Sequence, residues 1–159
     1  MRSSPLAASV VAIALSAVPA IAQDGLTWID GTTAEGGGVL IYGLPESDYV
    51  ILSLRCDPTT FALSIAFIPD EDLPPAMSGV TLTLTSEGGK VALPAERVYL
   101  EMLDAEIVEA TIEQLDPALV EIFTTGQALA VNADGTAMLL PIPDEAIRTP
   151  FLTACAVMG

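Results

Sequence analysis

Val80-Thr81-Leu82-Thr83-Leu84-Thr85 runs into Glu87-Gly88-Gly89 and then into Lys90 to Leu93. Alternation of apolar and hydroxyl side chains places Val80, Leu82 and Leu84 on one face of a strand and the threonines on the other. The glycines supply a turn, so the stretch predicts a β-hairpin with one buried face. The same period of two recurs outward from it. Tyr49 to Arg55 alternates with Val50, Leu52 and Leu54 on one side, and Phe61, Leu63, Ile65 and Phe67 stand opposite Ala62, Ser64 and Ala66. Arg97 to Met102 is expected to turn Val98, Leu100 and Met102 inward and Arg97, Tyr99 and Glu101 outward, with Glu106 to Ile112 continuing or pairing with it. Strands are also expected at Leu26 to Ile29 and Val39 to Tyr42, while Ala128 to Asn132 and Thr136 to Leu140 flank the turn dipeptide Asp134-Gly135. Short alternating segments at even spacing predict an all-β fold, an antiparallel β-sandwich or barrel-like sheet of about eight strands.

Two segments depart from the alternation. Asp116 precedes Pro117, and Leu115, Leu119, Ile122 and Phe123 follow helical spacing up to Gly126, which predicts a short capped helix. Asp144 is placed to cap a second, C-terminal helix carrying Ile147, Phe151, Leu152 and Cys155, with Pro150 expected to kink or restart it.

The chain has 159 residues, enough for one domain. Hydrophobic residues make up 52% and charged residues 16%, too apolar a balance for a disordered chain. Arg2 forms a positive start, Leu6 to Val18 is apolar and Ala20-Ile21-Ala22 is a small-residue cleavage site before Gln23. This reads as a secretory signal peptide over residues 1–22 and a single secreted β-rich domain over 23–159, with no membrane span after cleavage. Loss of Arg2 leaves four basic residues against 21 acidic ones, a formal charge of −17 on the mature chain. That charge repels nucleic acid and anionic lipid. The chain contains no histidine, which removes the commonest general base and zinc ligand. Export to an oxidising compartment makes Cys56 and Cys155, the two cysteines of the chain, an expected disulfide.

The apolar pattern and two-cysteine frame, with Tyr42-Gly43-Leu44-Pro45, Leu54-Arg55-Cys56 and Phe151-Leu152-Thr153-Ala154-Cys155, resemble small bacterial periplasmic β-sandwich proteins. Among these, the chain resembles the invasion-associated locus B type and the type VI secretion accessory VasI type. The resemblance implies an exported β-sandwich of accessory or unknown function and assigns no catalytic residue.

Carboxylate chemistry is the remaining option for catalysis, with Glu101 and Glu109, or Asp104 and Glu106, as candidate pairs for a carboxylate-only hydrolase. Such a pair also wants aromatic sugar platforms, of which the core claims a share, so these acids read as a solvated face. Calcium needs only oxygen ligands, and Asp70-Glu71-Asp72 and Asn132-Ala133-Asp134-Gly135 are candidate loops, although the second lacks the downstream glutamate of an EF-hand. No metal or other cofactor is expected. The favoured expectation is an acidic, non-enzymatic binding or accessory module with an envelope-protein partner. The alternative is an inhibitor of a cationic secreted enzyme such as a lysozyme, presenting Asp70, Glu71 and Asp72 as the partner-binding loop.

Overall fold

The computed structural model describes residues 25–69, 73, 79–101 and 104–156. The expected leader and the loop Asp70-Glu71-Asp72 lie outside the described residues. Nine strands and two helices follow in the order β1 (Thr27–Thr32), β2 (Gly38–Gly43), β3 (Val50–Cys56), β4 (Leu63–Phe67), β5 (Val80–Ser86), β6 (Gly89–Leu100), β7 (Ala105–Ile112), α1 (Pro117–Thr124), β8 (Ala128–Ala133), β9 (Thr136–Pro141) and α2 (Glu145–Cys155). All pairings are antiparallel and the strand order is β1-β2-β3-β4-β7-β6-β5-β8-β9, an antiparallel sheet curled into a half-barrel. The all-β expectation holds, with two short helices and the second at the C-terminal end.

The two segments expected at Lys90 to Leu93 and Arg97 to Met102 are one long strand, β6. Its first half, Gly89 to Ala95, pairs with β5, and its second half, Glu96 to Leu100, pairs with β7. The sheet therefore has a long arm ending in β1 and a short arm ending in β9, and β6 belongs to both. Pro94 sits just before the hand-over. The two-residue turn closes on the Ser86–Gly89 pair, so alternation leaves Thr81 and Pro94 as a pair without mutual hydrogen bonds. The proline nitrogen then faces away from β5, where no strand needs its missing N–H. Arg97 links the arms as well, donating to Glu106 Oε2 at 3.4 Å on β7 and to Asp134 Oδ2 at 3.0 Å in the β8–β9 turn.

One cluster of buried residues draws on both arms and both helices: Leu40, Leu54, Ile65 and Phe67 from the long arm, Leu84 and Val131 from the short arm, Phe123 from α1 and Phe151 from α2. Trp28 stands where the outermost strands approach each other. Its indole N–H donates to the carbonyl of Pro141 on β9 at 2.7 Å, and its ring lies 5.2 Å from Tyr42 and 6.3 Å from Phe123, edge-on to the latter.

Helix α1 begins as its sequence dictates, with Asp116 as N-cap accepting from the Ala118 N–H at 2.7 Å and Pro117 in the first turn. Helix α2 runs through Pro150 as one element, without the restart that was one of the two expected outcomes. Pro150 and Ala146, whose carbonyl loses its intrahelical donor, are both exposed, so water can satisfy that carbonyl. Asp144 occupies the N-cap position of α2 without a side-chain capping bond. The helix packs on β1 and β2, and its last residue, Cys155, meets Cys56 at bonding distance between the sulfurs, with the Cα atoms 5.5 Å apart. Gly38 makes this approach possible, since a Cβ there would press on Ala154 Cβ at 3.0 Å, the Phe151 carbonyl oxygen at 3.2 Å and Cys155 Sγ at 3.4 Å.

The β3–β4 connection is built by Asp57. Its Oδ1 accepts from the N–H groups of Thr59 at 2.8 Å and Thr60 at 2.7 Å, while its own carbonyl accepts from Phe61. Phe61, expected in the strand, instead takes a left-handed φ of 59° in this turn. The donors from Thr60 and Thr59 hold the Asp57 carboxyl below the ordinary aspartate range. A group whose folded pKa lies below its unfolded value stabilises the fold at neutral pH, and that contribution fades as pH falls through the unfolded value, about 3.9, and on through the folded one. The urea midpoint of the native protein minus that of Asp57→Asn should therefore be positive at pH 7 and shrink steadily below about pH 4. A difference that is flat over this range would show that the charge on Asp57 is idle.

Candidate functional site

The site is found on the outer face of the long arm, away from the core. Strand register lays five residues in a row across five strands: Ile41 faces Ser53, Ser53 faces Ala66, Ala66 faces Glu109 and Glu109 faces Glu96. The small side chains of Ser53 and Ala66 make the middle of this row its lowest part. On one side runs a polar bank, where Arg55 faces Ser64 and Ser64 faces Thr111. On the other runs an apolar bank of Val50, Ile68, Ile107 and Leu100, the last two contributed by β7 and β6. The result is a trough with a central hollow of about 290 Å³. It continues into a hollow of about 380 Å³ beside Glu96, Val98 and Thr111 and another of about 480 Å³ beside Arg55, Asp57 and Ser64. Glu109 borders all three.

The apolar bank comes from two departures from simple alternation. The β2–β3 register shifts between Tyr42 and Gly43, so that Gly43 faces Val50 and Ile51 is passed over. A Cβ at Gly43 would collide with the carbonyl of Tyr49, so the bulge requires glycine. Ile51 is buried, and Val50, expected on the side of Leu52 and Leu54, borders the trough instead. The second departure lies in β6, where Arg97 faces the fully buried Val108 and Val98 faces Ile107. Val98 and Leu100 thus point outward to the trough, and Arg97 and Tyr99 share the face of Val108, the reverse of the expected orientation. The apolar content of the segment misled the reading, because here the outer face is apolar too. Ile107 carries the same message. It is only 6% exposed, yet among the described residues it and Pro143 are the buried apolar side chains outside the core cluster.

The electrostatics of the trough are mostly negative. Asp48, Glu96 and Glu109 border it against the single cation Arg55. Among the described residues, both ion pairs within 4.0 Å belong to Arg97, so no salt bridge joins Arg55 to Glu109 or relieves Glu96 and Glu109.

Of the candidate carboxylate pairs, Glu101 and Glu109 are not brought together. Glu109 faces Glu96, and Glu101 lies five residues further along, roughly 16 Å at strand spacing, beyond the separation that glycosidase carboxylates use. Asp104 accepts a hydrogen bond from the Tyr99 hydroxyl, which raises the phenol pKa, and Glu106 is held by Arg97. Asp134 of the second candidate calcium loop is bound to Arg97, and Asn132, on β8, pairs with Thr83 of β5. The described residues contain no group of three or more acidic or cysteine side chains arranged to hold a metal ion. The directly opposed pair, Glu96 with Glu109, was not foreseen, since the β6–β7 register that creates it is invisible locally. No helix among the described residues is long and apolar enough to cross a membrane. Comparison with protein-family models, curated proteins and solved structures gives no significant match.

Proposed function

We propose that the chain is an exported, acidic binding module of the cell envelope, without catalytic activity, and that it recognises its partner through the trough on the outer face of the long arm. The observation that carries this reading is the burial of Ile107 on the side of the sheet opposite the core. Apolar side chains gathered with a floor of small ones, on a chain with 21 acids, form a surface whose apolar area is reduced by contact with another molecule. The reading accords with the likeness to small periplasmic accessory proteins, and the disulfide suits an oxidising compartment. Placement of a tryptophan at Ala66 fills the floor without touching the core, because Ala66 faces Ser53 and Glu109 on the outer side. Affinity capture from periplasmic extract, with and without added basic lysozyme, should retain a partner on the native protein and lose it on Ala66→Trp. Equal capture by both proteins would remove the trough from the function. A captured partner displaced by lysozyme, with the displacement unaffected by Ala66→Trp, would favour inhibition of a cationic enzyme at another surface.

A further inference from the structure

The occupant of the trough can be specified further, granted that the trough is the binding surface. Glu96 and Glu109 are directly opposed across β6 and β7, and like charges in that position destabilise a sheet. Neither is relieved by a cationic side chain within 4.0 Å among the described residues. Their opposed carboxylates close one end of a floor that continues over Ala66 and Ser53 to Ile41. The apolar bank of Val50, Ile68 and Ile107 flanks this floor. Five strands crossed at about 4.8 Å spacing give a length of roughly 19 Å, the reach of about six residues of extended chain. Acids outnumber bases along the trough, with Asp48, Glu96 and Glu109 against Arg55.

From this arrangement we infer that the trough takes an extended, cationic amphipathic segment of a partner protein: a basic side chain lies between the carboxylates of Glu96 and Glu109, and alternate apolar side chains rest on Ala66 and Ser53 against Ile68 and Ile107. Period-two alternation of an extended chain sends every second side chain to the trough, about 6.8 Å apart. The ligand's cation is drawn in by the negative field of the whole protein and fixed by the opposed pair. The apolar contacts supply the affinity that charge alone, exposed to water, does not.

The test uses a fluorescently labelled hexapeptide, Lys-Ser-Leu-Ser-Leu-Ser, whose lysine and two leucines share one face of an extended chain, with the same peptide carrying glutamate in place of the lysine as its control, measured by fluorescence anisotropy on the full oxidised protein. Four proteins are compared: native, Glu96→Gln with Glu109→Gln, Ala66→Trp, and Glu121→Gln with Glu145→Gln, which removes two exposed acids from the helices. Circular dichroism and thermal midpoints establish that each is folded. The expected result is binding of the lysine peptide only, weakened on the order of tenfold by the Glu96 and Glu109 changes and abolished by Ala66→Trp, with the helix variant near native. Loss with Ala66→Trp but no effect at Glu96 and Glu109 would leave the trough as a binding surface and overturn the cationic segment. Indifference to Ala66→Trp would overturn the trough itself. Equal weakening by both glutamine pairs would assign the binding to net charge and overturn the specific placement.

Discussion

Replacement of Cys56 and Cys155 together by alanine should lower the unfolding free energy by about 4 kcal/mol, read from urea midpoints of the oxidised native protein and the double variant. The two residues are 99 apart in sequence, and a cross-link closing a loop of that length removes a large share of the freedom of the unfolded chain. Alanine is the right substitution because Cys56 and Cys155 are 1% and 0% exposed. A serine at either position would add a buried hydroxyl needing a partner, and so confound the loss of the bond. Reduction of the native protein with a strong thiol should produce a similar shift. Should the double variant match native within about 1 kcal/mol, the docking of α2 on β1 and β2 would have to be held by Phe151 and its neighbours without help from the bond.

The second large effect is expected at Trp28. Trp28→Ala removes a buried indole that touches Tyr42 and Phe123 and donates to Pro141, and a truncation of that size costs about 3 to 5 kcal/mol. Trp28→Phe separates the contributions. It keeps an aromatic ring near Tyr42 and Phe123 but removes the donor to the carbonyl of Pro141, an exposed residue where water can take its place, so the loss is that of one net hydrogen bond, about 0.5 to 1.5 kcal/mol. Trp28 is the only tryptophan of the chain, so far-UV circular dichroism is the common probe for all three proteins. A Trp28→Phe variant as unstable as Trp28→Ala would place the whole effect in the hydrogen bond between the outermost strands. One as stable as the native protein would place it in packing.

Much of the fold was legible because its signals are local. The hydroxyl-apolar alternation of Val80 to Thr85, the Asp134-Gly135 turn and the Asp116-Pro117 start of α1 each depend on a few neighbouring residues, and the structure keeps all three. The trough was not legible, because it depends on which strands meet. Ser53, Ala66, Glu109 and Glu96 are spread over four strands and share a row only through the β3–β4, β4–β7 and β7–β6 registers. A signal was nonetheless present. Val50-Ile51-Leu52 and Ile107-Val108 place apolar side chains on adjacent positions, so both faces of those strands must avoid water. Reading such runs as simple half-buried strands turned Val98 and Leu100 inward and Arg97 outward. A run of adjacent apolar residues beside clean alternation elsewhere is therefore a sign of a second apolar surface.

The position of Cys155 also orders events in the life of the chain. All nine strands precede it, and its partner Cys56 ends the third of them. A polypeptide is made from its N-terminus and its early segments begin to fold first, so β1 to β4 can form hairpins while the residue that locks them does not yet exist. Thiol oxidation takes seconds to hours, far longer than hairpin formation. Closure of the bond waits on the last helix, and once made it ties that helix to the strand that Cys56 ends. A chain broken off before α2 carries a lone thiol at the end of β3, a chemical mark by which an unfinished molecule differs from a finished one.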